Sequence, residues 1–161
     1  MRTFESYPCW IVAVSNLLSV AIYLAGAYIL YQLGVIWPVI YLIYIGWLEI
    51  RLMKKSCVYC YYFGKQCAFG KGKISSLLFK KESGRTPNRN KAGWKEIIPN
   101  LLVSAVPLIV GVVLLILKFN WLLLAVTVLL LLLTSLGNGF VRGLLACKFC
   151  KQKEDCVITK S

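Results

Sequence analysis

Hydrophobic positions in this chain come in long, nearly unbroken runs rather than in the alternating or three-to-four spacing of a water-soluble fold. Four such runs of roughly 20 residues cover 10–30, 35–53, 97–117 and 121–141. An apolar helix of about 20 residues is what the ~30 Å hydrocarbon layer of a bilayer requires. The first run is interrupted by Ser15, Asn16 and Ser19, and the second, rich in Trp37, Tyr41, Tyr44 and Trp47, carries Glu49 and Arg51 near its end. The links 31–34 and 118–120 leave room only for tight helical hairpins. Pro38 and Pro107 are tolerable inside membrane helices, where neighbours satisfy the carbonyls that proline frees. The pattern predicts an all-α integral membrane protein with four transmembrane helices. Ala25-Gly26-Ala27 has the small-residue form of a signal cleavage site, but apolar residues follow directly, so an anchored first helix is expected.

Composition strengthens this reading. Of 161 residues, 59% are hydrophobic and 16% charged, with a mean hydropathy of +0.72. Soluble domains have about 45–50% and about 25%. The chain has no His, which excludes His-ligated haem, Ser–His and Cys–His catalytic pairs, and His-containing zinc sites. Six carboxylates leave little for acid–base catalysis, and a non-enzymatic role is expected.

Charge gives the predicted spans a direction. Residues 51–96 hold 12 Lys/Arg, residues 142–161 hold 5, and Arg2 joins them on that side, whereas Lys118 lies at the opposite end. The positive-inside rule then places both termini and the central loop in the cytoplasm. Such a basic loop would also suit nucleic acid, but topology and adjacent anionic lipid already account for it. A bilayer with anionic head groups is therefore the expected partner, a cytosolic or membrane protein a second, and nucleic acid is not expected.

Landmarks recur along the chain. Pro8 and Pro99 stand 91 positions apart, as do Arg51 and Arg142; Cys57 and Cys147, and Cys60 and Cys150, are 90 apart, and Cys67 and Cys156 are 89 apart. The predicted organisation is a hairpin with its cysteine cluster (1–69), a basic amphipathic segment and linker (70–96), and a second hairpin with its cluster (97–161). The hairpins would be parallel repeats that carry cytoplasmic cysteine knuckles and bring them together. In the connecting segment, 70–83 sets Ile74, Leu77 and Leu78 at helical spacing among Lys71, Lys73, Lys80 and Lys81. This predicts a short helix on the anionic leaflet, its lysines toward head groups. Residues 83–93 read as a polar linker, and Trp94 as an interfacial anchor for the third span. Gly64, Gly70, Lys71, Gly72 and Lys73 hint at a phosphate loop but miss the G-x4-G-K-[ST] spacing.

The chemistry lies in the cysteines. Cys57, Cys60 and Cys67 form C-x2-C-x6-C, and Cys147, Cys150 and Cys156 form C-x2-C-x5-C. Both fall on the predicted cytoplasmic side, where structural disulfides are rare. A C-x2-C step lets two thiolates converge on one ion, and two steps supply a tetrahedral shell. Lys54, Lys55, Lys65, Lys148, Lys151 and Lys153 favour thiolate ligation by charge, and Tyr59, Tyr61, Tyr62, Phe63 and Phe149 would shield the site or anchor at the interface. The simplest shell is Cys57, Cys60, Cys147 and Cys150, with Cys67 and Cys156 nearby. It resembles the paired knuckles of zinc ribbons and rubredoxins, without their Pro and Gly between and after the cysteines. The C-x2-C-x6-C step also resembles, in ligand spacing, half of the fungal binuclear zinc cluster, in which six thiolates hold two ions. Zn²⁺ is the expected metal. Iron or an iron–sulfur cluster is the alternative, and metal-free redox-active thiols are a third.

The remaining polar residues are less specific. Cys9 reads as a small interfacial residue that could also complete a shell with Cys57, Cys60 and Cys67. Glu49 is expected to snorkel or to pair with Arg51 or Arg142. Asn16, Asn138, Ser15, Ser19, Thr134 and Ser135 read as interhelical hydrogen-bond partners. The function expected is a membrane module whose metal clamps two repeats and presents a basic face. The alternatives are membrane electron transfer to a quinone or partner, and transport of a soft metal or solute.

Overall fold

The computed structural model describes residues 4–81 and 94–151 and has no strand among them. Helix α1 spans Cys9–Tyr31, α2 Ile36–Lys55, α3 Lys71–Leu78, α4 Trp94–Leu117 and α5 Trp121–Leu132; α5 continues in wider turns as far as Cys147. Among the described residues, four helices are long and apolar enough to cross a membrane: Cys9–Tyr31 and Ile98–Leu117 fall within a residue of the expected limits, whereas Ile36–Tyr59 and Trp121–Ala146 run five or six residues further. Between 11% and 28% of each candidate span is buried. Apolar side chains such as Leu17, Leu24, Ile36, Ile43, Ile116 and Trp121 lie largely exposed, a surface compatible with a hydrocarbon surround and poorly suited to water. Residues 83–93 and Cys156 lie outside the described residues, and so do the side chains of Trp94, Arg142 and Cys147.

The chain divides into two compact units. One comprises Leu18–Leu48 and Trp94–Gly139. Its core joins Ile22 and Ile29 of α1 to Leu123 and Leu130 of α5, with Leu108 and Leu114 of α4 against them. A second cluster joins Leu30 of α1 to Tyr41 and Ile45 of α2 and to Val103 and Val110 of α4. Close approach depends on small residues. A Cβ at Gly26 would lie 2.5 Å from the Tyr41 hydroxyl, and one at Gly111 would lie 2.8 Å from Thr127 Oγ1. The hairpin links are short, as expected. Asn120 starts α5 by accepting the Leu122 N–H on Oδ1 at 3.0 Å.

Pro107 lies buried inside α4. Lacking an N–H, it leaves the carbonyl four residues earlier, that of Val103, without its helical donor. The Tyr41 hydroxyl of α2 donates to that same carbonyl at 2.9 Å, and Tyr44 donates to the Pro99 carbonyl at 3.0 Å. Tyr41 thus supplies α4 with the donor that Pro107 removes, Tyr44 adds a second bond from α2 to α4 at the Pro99 carbonyl, and Gly26 makes room for Tyr41.

The fourth apolar helix departs from the expected plain α-helix ending at 141. Leu133–Gly137 and Val141–Cys147 are π-helical, with Asn138–Phe140 α-helical between them. The Thr134 hydroxyl donates to the carbonyls of Leu130 and Leu131, and Ser135 Oγ to that of Leu131. These hydroxyls occupy carbonyls that α-helical N–H groups would otherwise take, which favours the wider turn. The helix therefore continues through Arg142 and reaches Cys147.

If Tyr41 replaces the donor missing at Pro107, its value should depend on the proline. Tyr41→Phe should destabilise the detergent-solubilised protein by about 1 kcal/mol. In a Pro107→Ala background, where residue 107 can itself donate, the same change should cost less than half as much. Denaturant unfolding of the four proteins of this double-mutant cycle measures the difference.

Candidate thiolate site

The other unit comprises the described residues of Met1–Leu17, Glu49–Gly93 and Phe140–Ser161. It holds every described cysteine: Cys9, Cys57, Cys60, Cys67 and Cys150 carry no disulfide. Ser56 closes α2 by donating its N–H to the Leu52 carbonyl, and Cys57–Tyr59 form a single 3₁₀ turn. Cys60 N–H donates to the Cys57 carbonyl at 3.2 Å and Phe63 N–H to that of Cys60 at 3.1 Å, so the first C-x2-C is a compact hydrogen-bonded turn. The second differs locally, since Cys147 ends the wide-turned helix and Cys150 lies beyond it.

Backbone donors point at two of the sulfurs. The N–H groups of Tyr62 and Tyr61 bond to Cys60, and Gly72 N–H donates to Cys67 Sγ at 3.3 Å. Such donors favour charge on sulfur. Burial acts more strongly in the other direction and, with Cys150 and Cys67 close by, pushes the Cys60 thiol above its ordinary value. Cys57 is in electrostatic reach of Cys67, Cys60, Lys71 and Glu49. Cys60, Cys67 and Cys150 all pack on one buried cluster of Tyr7, Ile11, Tyr62, Ala68 and Ala146.

Four of the six predicted ligands, Cys57, Cys60, Cys67 and Cys150, therefore lie in one unit, with Cys150 of the second C-x2-C in electrostatic reach of Cys60 of the first. Among the described residues, no three Cys, Asp or Glu side chains are grouped tightly enough to hold a metal ion as they stand. Cys9 stands at the edge, exposed, its sulfur accepting from Gln66 Nε2 at 3.5 Å.

An aromatic strap from the N-terminus, absent from the sequence-based ligand list, holds the two cysteine segments together. Phe4 N–H donates to the Phe149 carbonyl at 3.2 Å and Tyr7 N–H to that of Gln66 at 3.0 Å. The Tyr7 hydroxyl donates to the Ala146 carbonyl. Tyr62, 2% exposed, donates to the Phe4 carbonyl at 2.7 Å and accepts the Lys151 N–H at 3.3 Å. Rings of Phe4, Tyr7, Tyr62 and Phe149 pack edge-to-face or tilted along this seam, their centroids 5.0–5.6 Å apart. The available signal was Phe4 and Tyr7 set before Pro8, which reads as a polar leader unless its partners are known. Of the aromatics around the cysteines, Tyr62 is buried, whereas Tyr61 is exposed between the ammonium groups of Lys65 and Lys151.

The lysines are distributed differently from the sequence expectation. Glu49 pairs with Lys71, a partner not foreseen, and Lys71 is the cation beside Cys57. Lys151 bridges Glu5 at 3.1 Å and the Tyr61 hydroxyl at 3.2 Å. Helix α3 forms over Lys71–Leu78, shorter than the expected 70–83, so Lys80 and Lys81 follow it in non-helical backbone. Ser75 and Ser76 donate their hydroxyls to the carbonyls of Gly72 and Lys73, which weakens a short helix, and Phe79 is extended. Ile74, Leu77, Leu78 and Lys73 are exposed, as an interfacial helix requires.

No protein-family model matches the chain, nor does any curated protein or solved structure.

Because Gly72 lies against the carbonyls of Tyr62 and Lys65, a Cβ there would stand 2.2 Å and 2.6 Å from these backbone oxygens. Gly72→Ala should destabilise this unit by more than about 2 kcal/mol, whereas Gly46→Ala, at a site with nothing within 4 Å, should be near neutral. Thermal unfolding in detergent compares the two.

Proposed function

We propose that the chain is an integral membrane protein with both termini and the central segment in the cytoplasm, built as two parallel hairpins whose cysteine clusters bind Zn²⁺ together. The metal is a structural clamp. It joins the two hairpins and fixes a basic surface toward anionic lipid. The observation that carries this reading is that Cys60, Cys67 and Cys150 pack on one buried cluster, the latter two within electrostatic reach of Cys60, with backbone N–H groups bonded to Cys60 and Cys67. Thiols drawn from the middle and the C-terminal part of the chain, beside cationic side chains and with no disulfide among those described, have the donor chemistry of a tetrathiolate site. Cys57, Cys60 and Cys150 would ligate, with Cys147 completing the shell and Cys67 or Cys156 available to a second ion. Binding energy at such a site adds directly to the stability of the assembled hairpins.

Metal analysis of anaerobically purified protein, with acid-labile sulfide and a visible spectrum, tests this. One or two zinc ions in a colourless, sulfide-free protein are expected; iron with sulfide and a band that bleaches on reduction would replace the clamp with an electron-transfer centre. Cys57→Ser/Cys60→Ser and Cys147→Ser/Cys150→Ser should each lose the metal and lower the unfolding temperature, and unchanged metal content in both would refute the site.

The pH response follows from the raised Cys60 thiol. Metal must displace thiol protons, so zinc affinity should climb between about pH 6 and 8, by about tenfold per pH unit for each proton released. The metal-free protein should behave oppositely. Its unfolded chain gives up the Cys60 proton first, so its stability falls as pH passes the ordinary thiol value near ~8.5. Chelator competition and unfolding at several pH values read the two slopes.

A further inference from the structure

The turns that close the two hairpins are unlike loops that face water. Residues 31–37 lead from α1 into α2 and residues 116–122 from α4 into α5, and all of them are exposed. Turns that meet water are ordinarily polar. Here Leu33, Val35, Ile36 and Trp37 dominate the first turn and Phe119 and Trp121 the second, at 45–76% exposure. Lys118 is the one charged side chain in either stretch. The packed core stops just short of the first turn, at buried Ile29 and Leu30, so these apolar side chains face away from it. The main chain, meanwhile, satisfies much of its own hydrogen bonding. Gln32, Leu33 and Gly34 donate their N–H groups to the carbonyls of Ile29, Leu30 and Tyr31 at 3.0–3.2 Å, which closes the end of α1. Gly34, at φ 137°, then reverses the chain. Helix α2 begins two residues before Pro38, whose missing N–H leaves its first turn one open donor fewer. In the second turn Lys118 N–H donates to the Leu114 carbonyl at 2.7 Å. Asn120 accepts the Leu122 N–H on its side chain and the Leu124 N–H on its carbonyl. A backbone that pairs its own polar groups can enter a layer poor in water.

We propose that both hairpin turns are seated in the head-group layer of the leaflet farther from the cytoplasm, with lipid rather than water as their surround. The proposal rests on the membrane-spanning reading above and is independent of the thiolate site. The head-group layer is about 5–7 Å deep on each side of the hydrocarbon, a depth that suits turns of this length. Indole and phenyl rings favour that depth, which suits Trp37, Phe119 and Trp121. From it the Lys118 ammonium reaches lipid phosphate while its stem stays among apolar groups. Neither hairpin then presents a water-facing loop on that side of the membrane.

The test uses the full chain, isotope-labelled, in phosphatidylcholine nanodiscs, with amide signals followed by nuclear magnetic resonance. Two probes are compared: a water-soluble gadolinium chelate, and lipid carrying a nitroxide beside its ester groups. Exposed Glu5 and Ser6 serve as the water-facing reference. The chelate should remove the signals of Glu5 and Ser6 and spare those of 32–35 and 118–121. The nitroxide lipid should remove the signals of both turns. Losses to the chelate at the turns equal to those at Glu5 and Ser6 overturn the proposal, because the turns then stand in water. Turn signals that survive both probes also overturn it and make protein, such as a second copy of this chain, the cover. Lipid with its nitroxide at the chain end separates failure of the proposal from failure of the spanning reading. It should remove the mid-span signals of 17–23 and 104–110; if it spares them, the chain does not cross the bilayer and both readings fall.

Discussion

The phenol of Tyr62 is where three distant stretches of chain are tied. Its hydroxyl donates to the carbonyl of Phe4 and accepts the N–H of Lys151, while its ring lies against Tyr7. A buried hydroxyl must find partners or lose the hydration it gave up, and here the partners available are main-chain groups of the N-terminal and C-terminal segments. Satisfying one phenol thereby brings Cys60, two residues before it, toward Cys150, one residue before Lys151. The two cysteine segments are drawn into one cluster because an aromatic side chain between them has its polar end satisfied by main-chain groups of Phe4 and Lys151. Tyr7 repeats the device through the carbonyls of Ala146 and Gln66.

Much of this architecture was legible in the sequence. Spans of apolar residues and the short links between them specify helices and hairpins almost by length alone, since few other structures satisfy backbone groups in hydrocarbon. The cysteine spacing likewise pointed to the unit that Cys57, Cys60, Cys67 and Cys150 share. What stayed hidden were contacts between residues distant in sequence and silent in pattern. Phe4 and Tyr7 look like leader residues until Tyr62 and Ala146 are placed against them. Lys71 also reaches Glu49, a pairing silent in the sequence, where the chain turns at Gly70 in the left-handed region (φ 70°). The end of α3 was also misjudged. The expected helix extended past its last apolar position, Leu78, to residue 83, but the helix stops there, where paired serine hydroxyls compete for the carbonyls a helix needs.

Helix α4 shows a related division between a local defect and its remote remedy. Pro107 can be read at once as a break in hydrogen bonding, but nothing near it in sequence supplies the replacement. The donor comes from α2, and its approach depends on an absent side chain at Gly26 of α1. Three helices are thus committed to one carbonyl. This accounts for a tyrosine in an apolar run without invoking a ligand.

The wide turns of the fourth apolar helix have a consequence for how its sequence can change in length. In a regular helix, removing one residue turns everything beyond it through about 100°, exchanging inward for outward faces. A π-helical turn already holds one residue more than an α-helical turn. Loss of a residue within Leu133–Gly137 could be absorbed by tightening that turn, leaving Val141 and Ala146 facing inward. This stretch is therefore where a single-codon deletion would be least damaging, and where a register change could most readily become fixed.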